Sequence, residues 1–86
     1  MKISEVEIIA VKPKMGVVGF ASFVIDDNVY CGLVAIHNRP RGGYRLVYPT
    51  KIADGFNREV FHPITHEAGR LIEEAVISKY EALIAE

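Results

Sequence analysis

Three histidines and one cysteine are the obvious candidates for metal binding or nucleophilic chemistry in this chain. His62 and His66 have the H-x-x-x-H spacing that, on a helix, turns two imidazoles to one face for zinc. Pro63 lies between them and the helical pattern starts only at Thr65, so the pair is not read as a zinc site. Cys31 and His37 share strand parity but stand six residues apart. At about 3.3 Å per residue that is roughly 20 Å, too far for one metal. Cys31 reads instead as a small buried apolar side chain. No serine lies in a nucleophile elbow, and the glycines of RGGY belong to neither a phosphate loop nor a dinucleotide fingerprint. The expectation is a protein that is not an enzyme, with no catalytic residue, metal or cofactor.

The charge pattern is more informative. The net charge is only −1, yet residues 39–58 hold Arg39, Arg41, Arg45, Lys51 and Arg58 against Asp54 alone, a local surplus of four. Residues 59–86 hold Arg70 and Lys79 against six glutamates. Local clustering, rather than the total, sets the field that a polyanion meets. Arginine forks bind phosphate bidentately, and Tyr44 and Tyr48, interleaved with the cations, offer rings for base stacking. A start of helix at Thr65 would add backbone N–H groups, although Glu67 competes for that positive end.

The elements that must position these residues follow from periodicity. A strand begins at Ile3 and runs to Val11, with Val6, Ile8 and Ala10 of one parity and Glu5 and Glu7 of the other. KPKMG (residues 12–16) interrupts it. Strands over 17–25 and 29–36 flank Asp26-Asp27-Asn28 and form a hairpin. NRPRGG (38–43) is a loop, Tyr44 to Tyr48 a fourth strand that Pro49 stops, Asp54-Gly55 a turn, and Arg58 to Phe61 a short fifth strand or extended arm. Thr65 caps a helix with apolar residues at helical spacing from Ala68 to Ile84. The expected fold is α+β: a small twisted antiparallel sheet of four to five strands over residues 1–62 and one C-terminal helix over 65–85, within a single domain spanning 1–86.

Strict alternation puts Val18, Phe20 and Val24 on one side of the second strand and Val17, Ala21, Phe23 and Ile25 on the other. In the third strand it sets Val29, Cys31, Leu33 and Ala35 against Tyr30, Val34 and Ile36. Both faces are apolar, and a single helix covers one of them. An uncovered apolar face marks an interface, and an 86-residue chain buries only about 60–65% of its unfolded surface, so a homodimer is expected. No apolar run approaches the roughly 18 residues of a membrane span. The N-terminal MKISEVEII lacks the apolar core of a signal peptide, and the cysteine is single; both suit a cytoplasmic location.

The stretch YPTKIADGFNREVFHPI (48–64) resembles the signature of the bacterial stage V sporulation protein G family (SpoVG, or septation protein G). The matching positions are Tyr48, Pro49, Thr50, Lys51, Asp54, Gly55, Arg58, Val60, Phe61, His62, Pro63 and Ile64, and the likeness extends back through ASFVIDDNVYCGLVAI and forward into EEAVISKYEAL. The resemblance implies a small dimeric regulator that binds DNA and/or RNA and affects septation or sporulation. It places binding at Lys51 and Arg58, with His62 in the HPI element, and at the helix start. Where family members carry a basic cluster at that start, this chain reads THEAGR, leaving His66 and Arg70. The expected nucleic-acid surface therefore comprises Arg39, Arg41, Arg45, Lys51, Arg58, His66 and Arg70. The competing reading is an interaction module in cell division that uses the acidic helix surface (Glu67, Glu73, Glu74, Glu81) and makes no direct nucleic-acid contact.

Overall fold

Turn chemistry lays out the sheet. The computed structural model describes residues 1–85, in the order β1 (Ile3–Lys14), β2 (Val17–Ile25), β3 (Val29–Asn38), β4 (Tyr44–Val47), β5 (Thr50–Ala53), β6 (Phe56–Glu59) and α1 (His66–Ile84). Lys14 faces Val17 across a two-residue turn in which Met15 (φ 53°) and Gly16 (φ 87°) both adopt positive φ. Ala53 faces Phe56 across Asp54 (φ 52°) and Gly55 (φ 79°) in the same way. Two positive φ values match the right-handed twist of the flanking strands, which is why Asp-Gly is a strong hairpin signal. Asp26 and Asp27, also at positive φ, turn β2 into β3. The Asp26 carboxylate accepts from the Lys2 backbone N–H at 2.6 Å, tying the N-terminus to that turn.

Four antiparallel strands form one sheet in the order β1-β2-β3-β4, and β5 and β6 form a separate two-stranded sheet. Two sequence expectations are corrected here. KPKMG does not end β1, because the strand runs on through Lys14 with an irregularity between Ala10 and Lys14. The segment after Pro49 holds two short strands rather than one, since Asp54-Gly55 closes a hairpin.

Strict alternation also fails, because bulges re-aim the central strands. The β2–β3 register gains one residue on β2 at Val18, between Val17↔His37 and Gly19↔Ile36. It gains one on β3 between Ala21↔Val34 and Phe23↔Cys31, where Leu33 adopts φ 58°. An unpaired extra residue shifts the facing of everything beyond it. Val18 therefore joins Ala21 and Phe23 in the core, instead of Phe20 and Val24. Cys31 joins Val34 and Ile36, while Leu33 turns to solvent.

The helix covers this re-aimed face. Ile72, Val76 and Tyr80, spaced at four residues, complete one core cluster with Val18, Ala21, Phe23, Cys31, Val34 and Ile36. A Cβ on Gly19 would lie 3.1 Å from the Ile9 carbonyl, so the bare backbone at this position lets β1 approach closely, while the Tyr80 ring of α1 packs over it at an ordinary 3.6 Å. At the other end Thr65 is the N-cap, its Oγ1 accepting from Ala68 N–H at 3.1 Å. Thr65→Ala is expected to cost about 1 kcal/mol. Thermal melting should show this as a loss of about 4–8 °C in Tm for a domain of this size. An unchanged Tm would mean that the cap contributes nothing.

Candidate nucleic-acid interface

The basic residues fall into three groups. The first is the β3–β4 connection. Arg39 N–H donates to the Gly43 carbonyl at 3.0 Å and Gly42 N–H to the Arg39 carbonyl at 3.0 Å, which closes residues 39–43 into a tight loop. Arg39, Arg41 and Arg45 line a shallow depression with Pro40 and Gly42, and no carboxylate borders it. Arg45 leaves the loop on β4, opposite His37 of β3. Among the described residues the ion pairs are Lys2–Asp27, His62–Glu59 and Arg70–Glu74, so these three arginines carry uncompensated charge.

The second group lies on the β5–β6 hairpin, whose eight strand residues are all exposed. Lys51 stands directly opposite Arg58. Like charges at a cross-strand position repel and weaken the hairpin, a cost that a bound anion removes. Arg58 also lies over the Phe56 ring, 5.6 Å from its centroid. Lys51, Arg58 and Phe56 thus share one face of the hairpin, with Thr50, Ile52, Asn57 and Glu59 on the other.

The third group, at the helix start, is weaker. Arg70 donates to Glu74 at 2.9 Å, one helical turn along. His66 is the first residue of α1, and one amide of that first turn already bonds Thr65. This group is also remote from the loop. Tyr44, one residue past the loop, meets Tyr80 edge-to-face at 5.0 Å. Tyr80 lies fourteen residues along α1 from His66, which is about 21 Å at 1.5 Å per residue. The seven residues grouped by sequence are therefore not one cluster: the loop sits by one end of the helix and His66 and Arg70 sit at the other.

The aromatic residues also differ from expectation. Tyr44 packs on Tyr80, and Tyr48 meets Phe61 edge-to-face at 5.8 Å, so neither ring is free to stack on a base. The exposed rings are Phe56 and Tyr30. Phe56 was readable in principle, because the Asp54-Gly55 turn puts it two residues before Arg58 on the same hairpin face. Tyr30 became identifiable only once the β3 bulge was known.

The remaining candidates for chemistry are quiet. Burial pushes the Cys31 thiol up, away from thiolate character. His62 precedes the helix, its Nδ1–H donating to the Pro63 carbonyl at 3.0 Å and its Nε2 lying 3.9 Å from the Glu59 carboxylate. Among the described residues no group of three or more metal-ligating side chains converges, and no helix is long and apolar enough to cross a membrane. The Tyr48 hydroxyl is buried without a hydrogen-bond partner. Burial, with the Glu73 charge adding to it, pushes this phenol up to about 12.

The architecture is a small α+β fold, an antiparallel sheet with one helix, that carries a carboxylate-free cationic loop. The chain belongs to the SpoVG family, whose profile matches residues 1–82. It is similar to a protein of Phytoplasma australiense named "Putative septation protein SpoVG", at 26% identity over 84 residues, covering 98% of this chain and 88% of that one.

The Tyr48 phenol gives a pH prediction. Its folded pKa exceeds the unfolded value, so its contribution to stability is intact below about pH 10 and is lost as pH rises through about 12. Tyr48→Phe should flatten the alkaline fall in Tm between these values and leave the Tm at pH 7 unchanged or higher, since an unpaired buried hydroxyl is removed. A lower Tm at pH 7 would show that the hydroxyl has a partner in solution.

Proposed function

We propose that this chain is a small regulatory nucleic-acid-binding protein of the septation type, acting as a homodimer in the cytoplasm on DNA and/or RNA. The observation that carries this reading is the 39–45 loop, where three arginines surround a depression free of carboxylates, in a chain whose net charge is −1. A solvated loop of no function in a chain rich in glutamate would be expected to pair at least one of them. The loop arginines grip phosphates, and the Lys51–Arg58 pair of the hairpin adds a second contact with Phe56 offering a stacking face. Arg70 is spent on Glu74, and His66 stands at the far end of the helix, so both are assigned a minor part. Two copies double the number of phosphates engaged without any new kind of contact.

Electrostatic binding falls with salt, each phosphate contact adding about 0.9 to the slope of log K against log [salt] on duplex DNA and about 0.7 on a single strand. Fluorescence titration of labelled DNA and RNA over a salt series should give a steep slope for the wild type. Arg39→Ser/Arg41→Ser should make it shallower by about 2 per chain engaged, and Arg70→Ser should leave it unchanged. No complex at low salt would refute nucleic-acid binding. An unchanged slope in the double variant would remove the loop from the interface.

A further inference from the structure

The β1–β2 turn reaches the cationic loop. The Gly16 carbonyl accepts from Asn38 N–H at 2.9 Å, and Asn38 is the last residue of β3 before Arg39. The two turns therefore lie side by side at one end of the four-stranded sheet. The ladder extends this contact across all four strands. Lys14 pairs with Val17, Val17 with His37, and His37 with Arg45. Residues directly opposite one another on antiparallel strands share a face, so Lys14, His37 and Arg45 stand in one row. The row points away from α1, because its chain neighbours Ile36 and Tyr44 pack on the helix side. It spans three strand spacings of about 4.8 Å, or about 14 Å in all. Arg39 and Arg41 continue it past the end of the sheet. It is separate from the β5–β6 arm, which begins only beyond Pro49.

We propose that this row and the loop form one phosphate track across the end of the sheet, and that His37 couples its grip to proton uptake. The inference rests on the nucleic-acid reading above and adds Lys14, His37 and a pH dependence to the same site. Neither Lys14 nor Arg45 belongs to an ion pair among the described residues. The length fits the ligand. One strand of a duplex places a phosphate about every 3.4 Å of axis, so the row faces about four of them. The surroundings of His37 are cationic. Arg45 stands beside it on β4, and Lys14 of β1 lies beyond Val17 of β2, with Lys12 two residues earlier. The turn offers only backbone there: a Cβ on Gly16 would lie 3.7 Å from His37 Nδ1. The carboxylate that β1 carries on this face is Glu7, opposite Ser22. Ser22 is five residues along β2 from Val17, about 16 Å away. Helix α1, with Glu81 next to Tyr80, lies on the other face. No acidic group thus competes with a phosphate for His37. A protonated imidazole directly opposite Arg45 destabilises the ladder until an anion lies over both. Histidine changes charge between pH 5 and 8, so lowering the pH through this range adds one cation to the track.

The test is fluorescence titration of a labelled DNA duplex with the full chain, over a salt series at pH 8 and pH 5.5, with circular dichroism to check folding. Lys14→Ser should make the salt slope shallower by about 0.9 per chain engaged, the value of one phosphate contact. In 0.1 M salt the wild type should bind about 8-fold more tightly at pH 5.5 than at pH 8, the gain that one added contact gives. His37→Gln should bind as the wild type does at pH 8 and lose that gain. Calorimetry at pH 6.5 in two buffers of different ionisation enthalpy should show proton uptake on binding by the wild type and none by His37→Gln. His62 and His66 remain in this variant, so a gain that persists would overturn the part given to His37. An unchanged slope in folded Lys14→Ser would confine the site to the loop and overturn the track. A wild type that binds no duplex at either pH would overturn the nucleic-acid reading, and the track with it.

Discussion

One helix against a sheet with two apolar faces is the constraint on which the rest of this structure depends. Ile72, Val76 and Tyr80 can meet only one side of β2 and β3, and the two bulges determine which residues that side contains. Val18 and Cys31 are turned into the core, and Leu33 is turned out of it. The strain at Leu33, a non-glycine residue at φ 58°, is thus linked to the composition of both faces. The covered face supplies the stability of the monomer. The uncovered face leaves Ile9, Tyr30 and Leu33 exposed.

The same constraint distributes the charge. Because α1 lies on the sheet with its N-cap beside the β6–α1 connection and Tyr80 beside Tyr44, the two ends of the basic set are held apart. Glu74 neutralises Arg70 at the capped end, whereas nothing among the described residues neutralises the arginines of the 39–45 loop. In this chain the unpaired positive charge therefore lies at the loop. Two such loops on a dimer, together with two cationic hairpin faces, would give a polyanion four separated points of contact. That arrangement favours binding by position along a backbone over recognition of particular bases.

Much of this was legible in the sequence, and the failures have a common cause. Thr65 as N-cap, Asp54-Gly55 as a turn, the β2–β3 hairpin and the helical stripe were read from local rules, since each depends on side-chain chemistry within a few residues. Two apolar faces with only one covered was also readable. The membership of each face was not, because alternation assumes a regular ladder and nothing in VVGFASFVI or VYCGLVAI announces an extra residue. The β5 strand was missed for a related reason: TKIA has no apolar alternation to bury, and it exists only through pairing with FNRE. Within the candidate site, the cations were identified from composition, but their separation into a loop, an arm and a helix end needed the path of α1. Tyr44 and Tyr48 were read as stacking rings, but the core and Phe61 had already claimed them.

The proposed interface holds nucleic acid by the loop and the arm rather than by the helix start. Backbone amide shift mapping during titration with an unlabelled oligonucleotide tests this most directly. The largest changes are expected at Arg39–Arg45 and around Lys51 and Arg58, with His66–Arg70 nearly silent. Changes concentrated at the first turns of α1, with a silent 39–45 loop, would contradict it.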